Sequence, residues 1–221
     1  MSKHRLLIVG AGRIGAGFGW HDDVYTHAGA ARALSDRVEL VGFVDPSIER
    51  AGAAMTKWKK PVYQDLPTAI HALKPDLLSV CVQPEQQVEV LEQIPDSIKG
   101  IWCEKPYMGP DESKIPIQVN YLRRADPSHQ YIASVPQHNT ALIVYGKDDI
   151  HTKCHFLDLA KWWKCQLDYR VFNGPCAYIV TGAGSRFFDK GGVDPAYCMK
   201  GMLKNLLDCV DFDSSLWSPI R

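Results

Sequence analysis

The sequence predicts an α/β protein: a doubly wound parallel sheet at the N-terminus, followed by a truncated α+β region. Three observations predict it. Short apolar runs alternate with helical stretches through the first half of the chain, the pattern of a parallel sheet with right-handed crossovers. The first run leads straight into Gly10-Ala11-Gly12-Arg13-Ile14-Gly15. The second ends on an acidic residue, Asp45. Together these are the fingerprint of a dinucleotide-binding Rossmann unit.

Taken in order, residues 5–9 read as the first strand, and a helical segment runs from the glycine turn to about Ser35. Residues 38–44 form the second strand, 48–57 a helix, 61–63 a short third strand and 66–73 a helix. Residues 76–82 read as a buried strand, 85–93 as a helix, and 100–103 as a strand ending in Glu104-Lys105-Pro106. Residues 117–121 close the sheet. The connection before that strand holds Gly109, Pro110 and Pro116, so it reads as a crossover without a regular helix. The βα rhythm stops near residues 124–127. This gives a dinucleotide-binding domain over 1–125 and a shortened α+β substrate and oligomerisation domain over 126–221. In the latter, 141–145 and 177–181 read as strands. Residues 152–164 read as a helix with Phe156, Leu159, Trp162 and Trp163 on its apolar face, and 196–210 as another. Gly182-Ala183-Gly184 lacks a third glycine and reads as a turn.

Composition excludes several classes of function. The 221 residues carry 25 basic and 25 acidic side chains, without the basic patch that nucleic-acid binding requires. No apolar stretch reaches the roughly 18 to 20 residues that span a bilayer. The first apolar run is too short for a signal peptide. Seven cysteines, an odd number, form no C-x-x-C pair, which points to a reduced, cytoplasmic protein.

Each glycine of the turn has a physical task. Gly10 permits the tight turn, Gly12 lets the backbone approach a pyrophosphate, and Gly15 lets helix and strand pack closely. Asp45 lies farther along the chain than the usual spacing, and residues 16–27 read as the insertion responsible. A carboxylate there accepts hydrogen bonds from the adenosine ribose and repels a 2′-phosphate. NAD is therefore the favoured cofactor, with NADP kept open by the nearby Arg50.

Further blocks follow the turn in order: LLIVGAGRIGAG, VELVGFVD, DLLSVCVQPEQQ, WCEKP, QVNYLRRADP and HTKCHFLDLAKWW, with GVDPAYCMKGMLKNLLDCV near the end. In these the chain resembles the glucose-fructose oxidoreductase / inositol dehydrogenase / rhizopine catabolism (Gfo/Idh/MocA) family of NAD(P)-dependent oxidoreductases. The resemblance implies hydride transfer between nicotinamide and a hydroxyl or keto carbon of a sugar, cyclitol or sugar-nucleotide-like substrate. It also implies a second copy of the chain as partner. Gly10, Gly12, Arg13, Ile14, Gly15, Asp45, Glu104 and Lys105 fall on the cofactor side. Lys105 and His155 match the polar residues beside the reacting hydroxyl, with His151 one helical turn before His155. Tyr121 and Arg124 match the block lining the substrate, Lys147 is a further candidate contact, and Asp158 reads as structural. Pro106 matches a proline that often follows a cis bond. Gln83 and Gln87 stand where relatives often carry proline and histidine. Histidine and lysine suit the work, because both can exchange protons near neutrality when their surroundings allow it. His151 and His155 lack a third metal ligand at diagnostic spacing, so no metal is expected. The shortened second half supports an alternative, a non-catalytic NAD(P)-binding sensor or regulatory protein of the same family.

Overall fold

A computed structural model describes residues 2–134, 141–172, 177–180, 186–188 and 194–216. The chain divides into two compact units: residues up to Asn120 together with those from Met199 onward, and Tyr121–Cys198.

The first unit is built on six strands: β1 (His4–Val9), β2 (Val38–Val44), β3 (Val62–Tyr63), β4 (Leu77–Val80), β5 (Gly100–Cys103) and β6 (Ile117–Val119). Their order is β3-β2-β1-β4-β5-β6, and every pair is parallel. The order reverses between β1 and β4, which places a crevice at the carboxyl ends of these strands. The strands are buried on both faces, as parallel strands must be when helices cover each side. Leu7, Val9, Val44, Leu78, Val80, Ile101 and Cys103 share one apolar core. Leu6, Ile8, Phe43, Leu77 and Trp102 alternate with them and are equally sequestered.

The helices are α1 (Arg13–Ala16), α2 (His27–Ala33), α3 (Ile48–Trp58), α4 (Leu66–Leu73) and α5 (Pro84–Glu92). Ser47 and Asp65 cap α3 and α4 through their side chains, satisfying backbone donors that a helix start leaves open. The single helix expected from the glycine turn to Ser35 is instead two. Gly17 adopts a left-handed conformation that ends α1, and Thr26 caps a fresh start at α2. The insertion between them is stapled down. Trp58 Nε1 donates to the Ala16 carbonyl at 2.8 Å, and Arg32 forks onto Asp23 at 2.6 and 2.9 Å. Between β5 and β6 the chain crosses without a helix, as its prolines and glycine predict.

The second unit has a four-stranded sheet in the order β10-β9-β7-β8. Its strands are β7 (Ala141–Gly146), β8 (Gln166–Val171), β9 (Ala177–Val180) and β10 (Arg186–Phe188). β7 and β8 are parallel and β9 is antiparallel to β7. The crossover between β7 and β8 is α7 (Ile150–Trp163). Leu142, Val144, Phe156, Leu159, Trp163, Tyr178 and Ile132 form its core. Three elements beyond the sequence expectation are present: α6 (Pro127–Ser134), β8 and β10, together with a 3-10 turn over Leu122–Ala125. The glycine pair at Gly182 and Gly184 lies outside the described residues.

The last helix, α8 (Pro195–Phe212), returns to the first unit from Met199 onward. Met199, Met202, Leu203, Leu206 and Leu207 are all fully buried. Gly100 makes room for it, since a Cβ there would lie 3.0 Å from Leu206 and 3.1 Å from Val210. Polar ties fix the outer face of α8: a hydrogen bond between His4 and Asp211 at 2.6 Å, and ion pairs from Arg37 to Asp208 and Asp211 at 2.6 and 2.7 Å. Replacing Leu206 by alanine leaves a cavity against β5 and is expected to lower stability by about 2–5 kcal/mol. Urea denaturation measures this, and a loss below about 1 kcal/mol contradicts the packing described.

Candidate active site

The carboxyl ends of the first unit's strands gather the functional side chains, each in the residue that follows a strand. Gly10 follows β1, Asp45 follows β2, Cys81 follows β4, Glu104 and Lys105 follow β5, and Asn120 follows β6.

The glycine turn fits a dinucleotide. Gly10 has φ of +99°, and a Cβ there would come within 2.5 Å of the Cys81 carbonyl oxygen. A Cβ on Gly15 would collide with the Gly10 carbonyl, while one on Gly12 would meet nothing within 4 Å. Two glycines are thus required by close packing. The third opens a space on the backbone, where a diphosphate would need to approach. Arg13 is exposed, with its guanidinium 5.6 Å from the Trp20 ring centroid, and Ile14 is half-buried. α1 is one turn long, so the turn's own backbone N–H groups, more than a helix dipole, are the donors on offer to an anion.

Asp45 is enclosed. Its Oδ2 accepts from the Ala11 N–H at 2.8 Å and its Oδ1 from the Ser47 N–H at 2.9 Å. Arg50 Nε reaches both oxygens, at 3.0 and 2.9 Å. Asp45, ahead of the opposing effect of burial, raises the Arg50 guanidinium above its already high value.

Glu104 is the centre of a buried polar cluster. Its Oε1 is 2.9 Å from His27 Nε2 and also accepts from Asn120 Nδ2. His27 Nδ1 is 2.6 Å from the Ser79 hydroxyl, and the imidazole packs against Trp102 at a 30° tilt with centroids 3.6 Å apart. Trp102 Nε1 in turn donates to Asn120 Oδ1 at 3.2 Å. Burial works to raise the Glu104 carboxyl, but His27, Asn120 and Lys105 together hold it below the usual range. The cluster therefore keeps a charged carboxylate inside the protein, which is tolerable because three hydrogen bonds compensate its burial.

Lys105 extends from this anchor. Its N–H donates to Glu104 Oε2 at 3.2 Å, its side chain is half-buried, and the Lys105–Pro106 bond is cis. Its ammonium has no hydrogen-bond partner among the described residues. Gln87, fully buried, braces the same segment from α5: Nε2 donates to the Glu104 carbonyl at 3.0 Å, and Oε1 accepts from the Met108 N–H at 2.9 Å. One side chain thus grips the backbone on both sides of Pro106.

In the second unit, His151 and His155 both ride on α7, His151 exposed and His155 half-buried. The Tyr121 ring meets the His155 ring edge-on, centroids 6.0 Å apart. Arg124 forks onto Asp158, Nε to Oδ2 at 2.9 Å and Nη2 to Oδ1 at 2.8 Å, and lies 5.0 Å from the Trp162 ring centroid. Burial raises the Asp158 carboxyl despite this partner. Lys147 is exposed. A second buried cluster was not expected: Asp126 Oδ1 to His129 Nδ1 at 2.6 Å, and His129 Nε2 to the Tyr178 hydroxyl at 2.5 Å. Burial pulls the His129 imidazole below its ordinary value, although Asp126 works the other way. Among the described residues there is no group of three or more metal-ligating side chains, and no helix is long and apolar enough to cross a membrane.

His27, Ser79, Asn120, Asp126 and His129 were not legible as site residues, whereas Gln87 was marked by its departure from the residue relatives often carry. Only Asp126-Pro127 carried a usable signal, an N-cap followed by a proline at a helix start.

The strand order, the glycine turn and the residues at the strand ends define an oxidoreductase with an NAD-binding Rossmann fold. The model of the GFO_IDH_MocA family, described as an oxidoreductase family with that fold, matches residues 4–115, more than half of the chain, and the chain belongs to this family. Among solved structures, it is similar to a myo-inositol dehydrogenase from Corynebacterium glutamicum at 15% identity and TM-score 0.72, over 97% of this chain and 90% of that one. It is similar to the WlbA dehydrogenase from Bordetella pertussis, solved with NADH and UDP-GlcNAcA, at 16% identity and TM-score 0.71, over 99% and 91%. A scyllo-inositol dehydrogenase from Lactobacillus casei, with bound NAD(H) and scyllo-inositol, matches at 12% identity and TM-score 0.63, over 85% and 76%. At these identities the likeness is one of fold. No curated protein matches the chain.

Replacing Glu104 by glutamine turns an amide toward donors that need an acceptor. The expected cost at pH 7 is roughly 3 kcal/mol, the scale of breaking a buried ion pair. The depressed Glu104 carboxyl contributes stability that is present above the unfolded value of about 4.3 and lost as pH falls through the folded value. Denaturation measured between pH 7 and pH 3 should show a shallower acid dependence in Glu104→Gln. An unchanged slope would refute a stabilising charge at this position.

Proposed function

We propose that this chain is an NAD(P)-dependent dehydrogenase or ketoreductase. It would move a hydride between the nicotinamide and a hydroxyl or keto carbon of a sugar, cyclitol or sugar-nucleotide-like substrate. The observation that carries this reading is Lys105. Its backbone is tied to a buried Glu104 that accepts three hydrogen bonds, and its ammonium makes no hydrogen bond among the described residues. It stands at the same sheet edge as the glycine turn, where ligands bind in open α/β sheets. A lysine anchored so firmly at its base and left unengaged at its tip is suited to a ligand.

The bound nicotinamide supplies the hydride acceptor or donor. Oxidation of a carbinol sends the hydride from carbon to that ring and the proton from oxygen to a base, leaving a carbonyl. We assign Lys105 to hold the reacting oxygen and stabilise negative charge developing on it. His155 is assigned to exchange the proton, since an imidazole titrates near neutrality. His151 is a secondary candidate, and its exposure favours His155 over it. Gly10, Gly12, Arg13, Ile14 and Gly15 are assigned to the cofactor. Tyr121 is assigned to the substrate through its edge contact with His155. Arg124 is assigned there through the resemblance, with its Nε and Nη2 held by Asp158. Inositols and nucleotide sugars are the natural substrate panel, because structures of similar fold include two inositol dehydrogenases and a dehydrogenase solved with UDP-GlcNAcA.

The test is to incubate the protein with NAD or NADP and a panel of cyclitols, sugars and nucleotide sugars, following reduced-cofactor absorbance. Lys105→Ala and His155→Ala should each lower turnover by about 10²–10⁴-fold, the range for acid–base groups, while calorimetric cofactor binding persists. Turnover that survives both substitutions would remove these roles. Cofactor binding without turnover of any panel member would favour the non-catalytic sensor reading.

A further inference from the structure

We infer that Gln87 is a positioning residue for the reaction: its carboxamide fixes the backbone on both sides of Lys105 and so sets where the ammonium meets the reacting oxygen. This rests on the dehydrogenase reading proposed above and deepens it. A helix packed on a sheet normally turns its apolar side chains inward. In α5 the one buried residue is Gln87, with 0% exposure, while its neighbour Val88 is 42% exposed.

Burying a carboxamide is unfavourable unless both of its ends are hydrogen-bonded. Here both are, and neither partner is a side chain. Nε2 donates to the Glu104 carbonyl at 3.0 Å, and Oε1 accepts from the Met108 N–H at 2.9 Å, so Lys105 lies between the two points of attachment. Residues 104–108 belong to no helix or strand, and Pro106 has no N–H to contribute. The sheet holds this segment only as far as the Glu104 N–H, which donates to the Val80 carbonyl at 2.9 Å. Among the described residues no backbone group bonds to the Glu104 carbonyl or to the Met108 N–H. Beyond the end of β5, Gln87 takes the place of a neighbouring strand.

The chemistry of the side chain suits that task. A carboxamide carries a donor and an acceptor on one planar fork, so it engages a carbonyl and an N–H of the same segment as a peptide group would. A carboxylate lacks the donor, and a thioether offers only a weak acceptor. The chain beyond Met108 keeps to the same helix, since a Cβ on Gly109 would come within 2.5 Å of Leu91 Cδ1 on α5. Lys105 is thus held from two sides: by Glu104 Oε2, which accepts from its N–H at 3.2 Å, and by Gln87 from the helix. Misplacing a reacting group by about 1 Å can lower a rate 10²-fold, so the second hold bears on catalysis as well as on stability. Gln87 is fully buried and acts through Lys105, without touching substrate itself.

The experiment compares the intact wild type with Gln87→Met, which keeps the volume and loses the fork, and Gln87→His, which keeps one donor and one acceptor. Each is assayed with the cofactors and substrate panel above, and hydrogen exchange is followed along the chain by mass spectrometry. Gln87→Met should lower kcat by about 10–100-fold, with KM for substrate and calorimetric cofactor affinity within about three-fold of wild type. Exchange should accelerate around Met108 while β1 and α8 keep their protection. Gln87→His should lie between the two, at least about three-fold below wild type in kcat, and decides the question if the methionine variant does not fold. A kcat within about two-fold of wild type in either folded variant, or exchange that accelerates equally in β1 and α8, would overturn the positioning role and leave the dehydrogenase reading standing. A wild type that turns over no member of the panel would overturn both.

Discussion

A single buried carboxylate organises the first unit. Glu104 leaves the end of β5 and points inward, and three elements are recruited to satisfy it: α2 through His27, β6 through Asn120, and β4 through the Ser79 hydroxyl behind His27. Moving an ion from water to such a place is costly unless every lone pair is met. The cluster is therefore cooperative, because displacing any member strands the others. Its consequence is directional. With Glu104 fixed and Gln87 holding the backbone beyond it, Lys105 has little freedom at its Cα, and the remaining motion is confined to its own side chain. Preorganisation of this kind is what a reacting polar group needs.

The insertion before α2 has a related role. A helix that began at the glycine turn and ran unbroken would carry His27 on a continuation of α1. Here Gly17 ends α1 and Thr26 starts α2 afresh, so α2 is placed by its own contacts. Those contacts include Gly29, where a Cβ would run into the Asp23 carbonyl, and the Arg32–Asp23 fork. The loop thus closes against the helix it introduces, and His27 arrives at Glu104 from a rigid base.

Much of the first unit could be read from the chain because its signals are local. β2, α4 and β5 fall where the apolar pattern places them, since each is a short run buried by its immediate neighbours. The glycine turn and Glu104-Lys105-Pro106 are likewise contiguous motifs. The second unit was read less well. β8 alternates Gln166, Asp168 and Arg170 with Leu167, Tyr169 and Val171, a period-two pattern, but as an edge strand it is half exposed and weakly apolar. β10 is three residues long, too short to carry periodicity. The polar clusters escaped for a different reason. His27 and Glu104 are 77 residues apart, and His129 and Tyr178 are 49 apart. Such partners are chosen by topology, and no spacing rule encodes them. The state of Asp45 lay between these cases. Arg50 was visible as a neighbour, but that it would enclose the carboxylate depends on the turn geometry at Ser47.

The return of α8 to the first unit has a consequence for how the chain comes off the ribosome. Domains tend to fold as units while synthesis proceeds from the N-terminus. Here the parallel sheet is finished at β6, yet the surface beside Gly100 waits for Leu206, which is made only after the whole second unit has been translated. Until then the nascent Rossmann sheet presents an uncovered apolar strip, and the closing contact spans nearly half the sequence. Such late, long-range closure slows folding and prolongs exposure to aggregation. The second unit is thus an interval in the folding of the first.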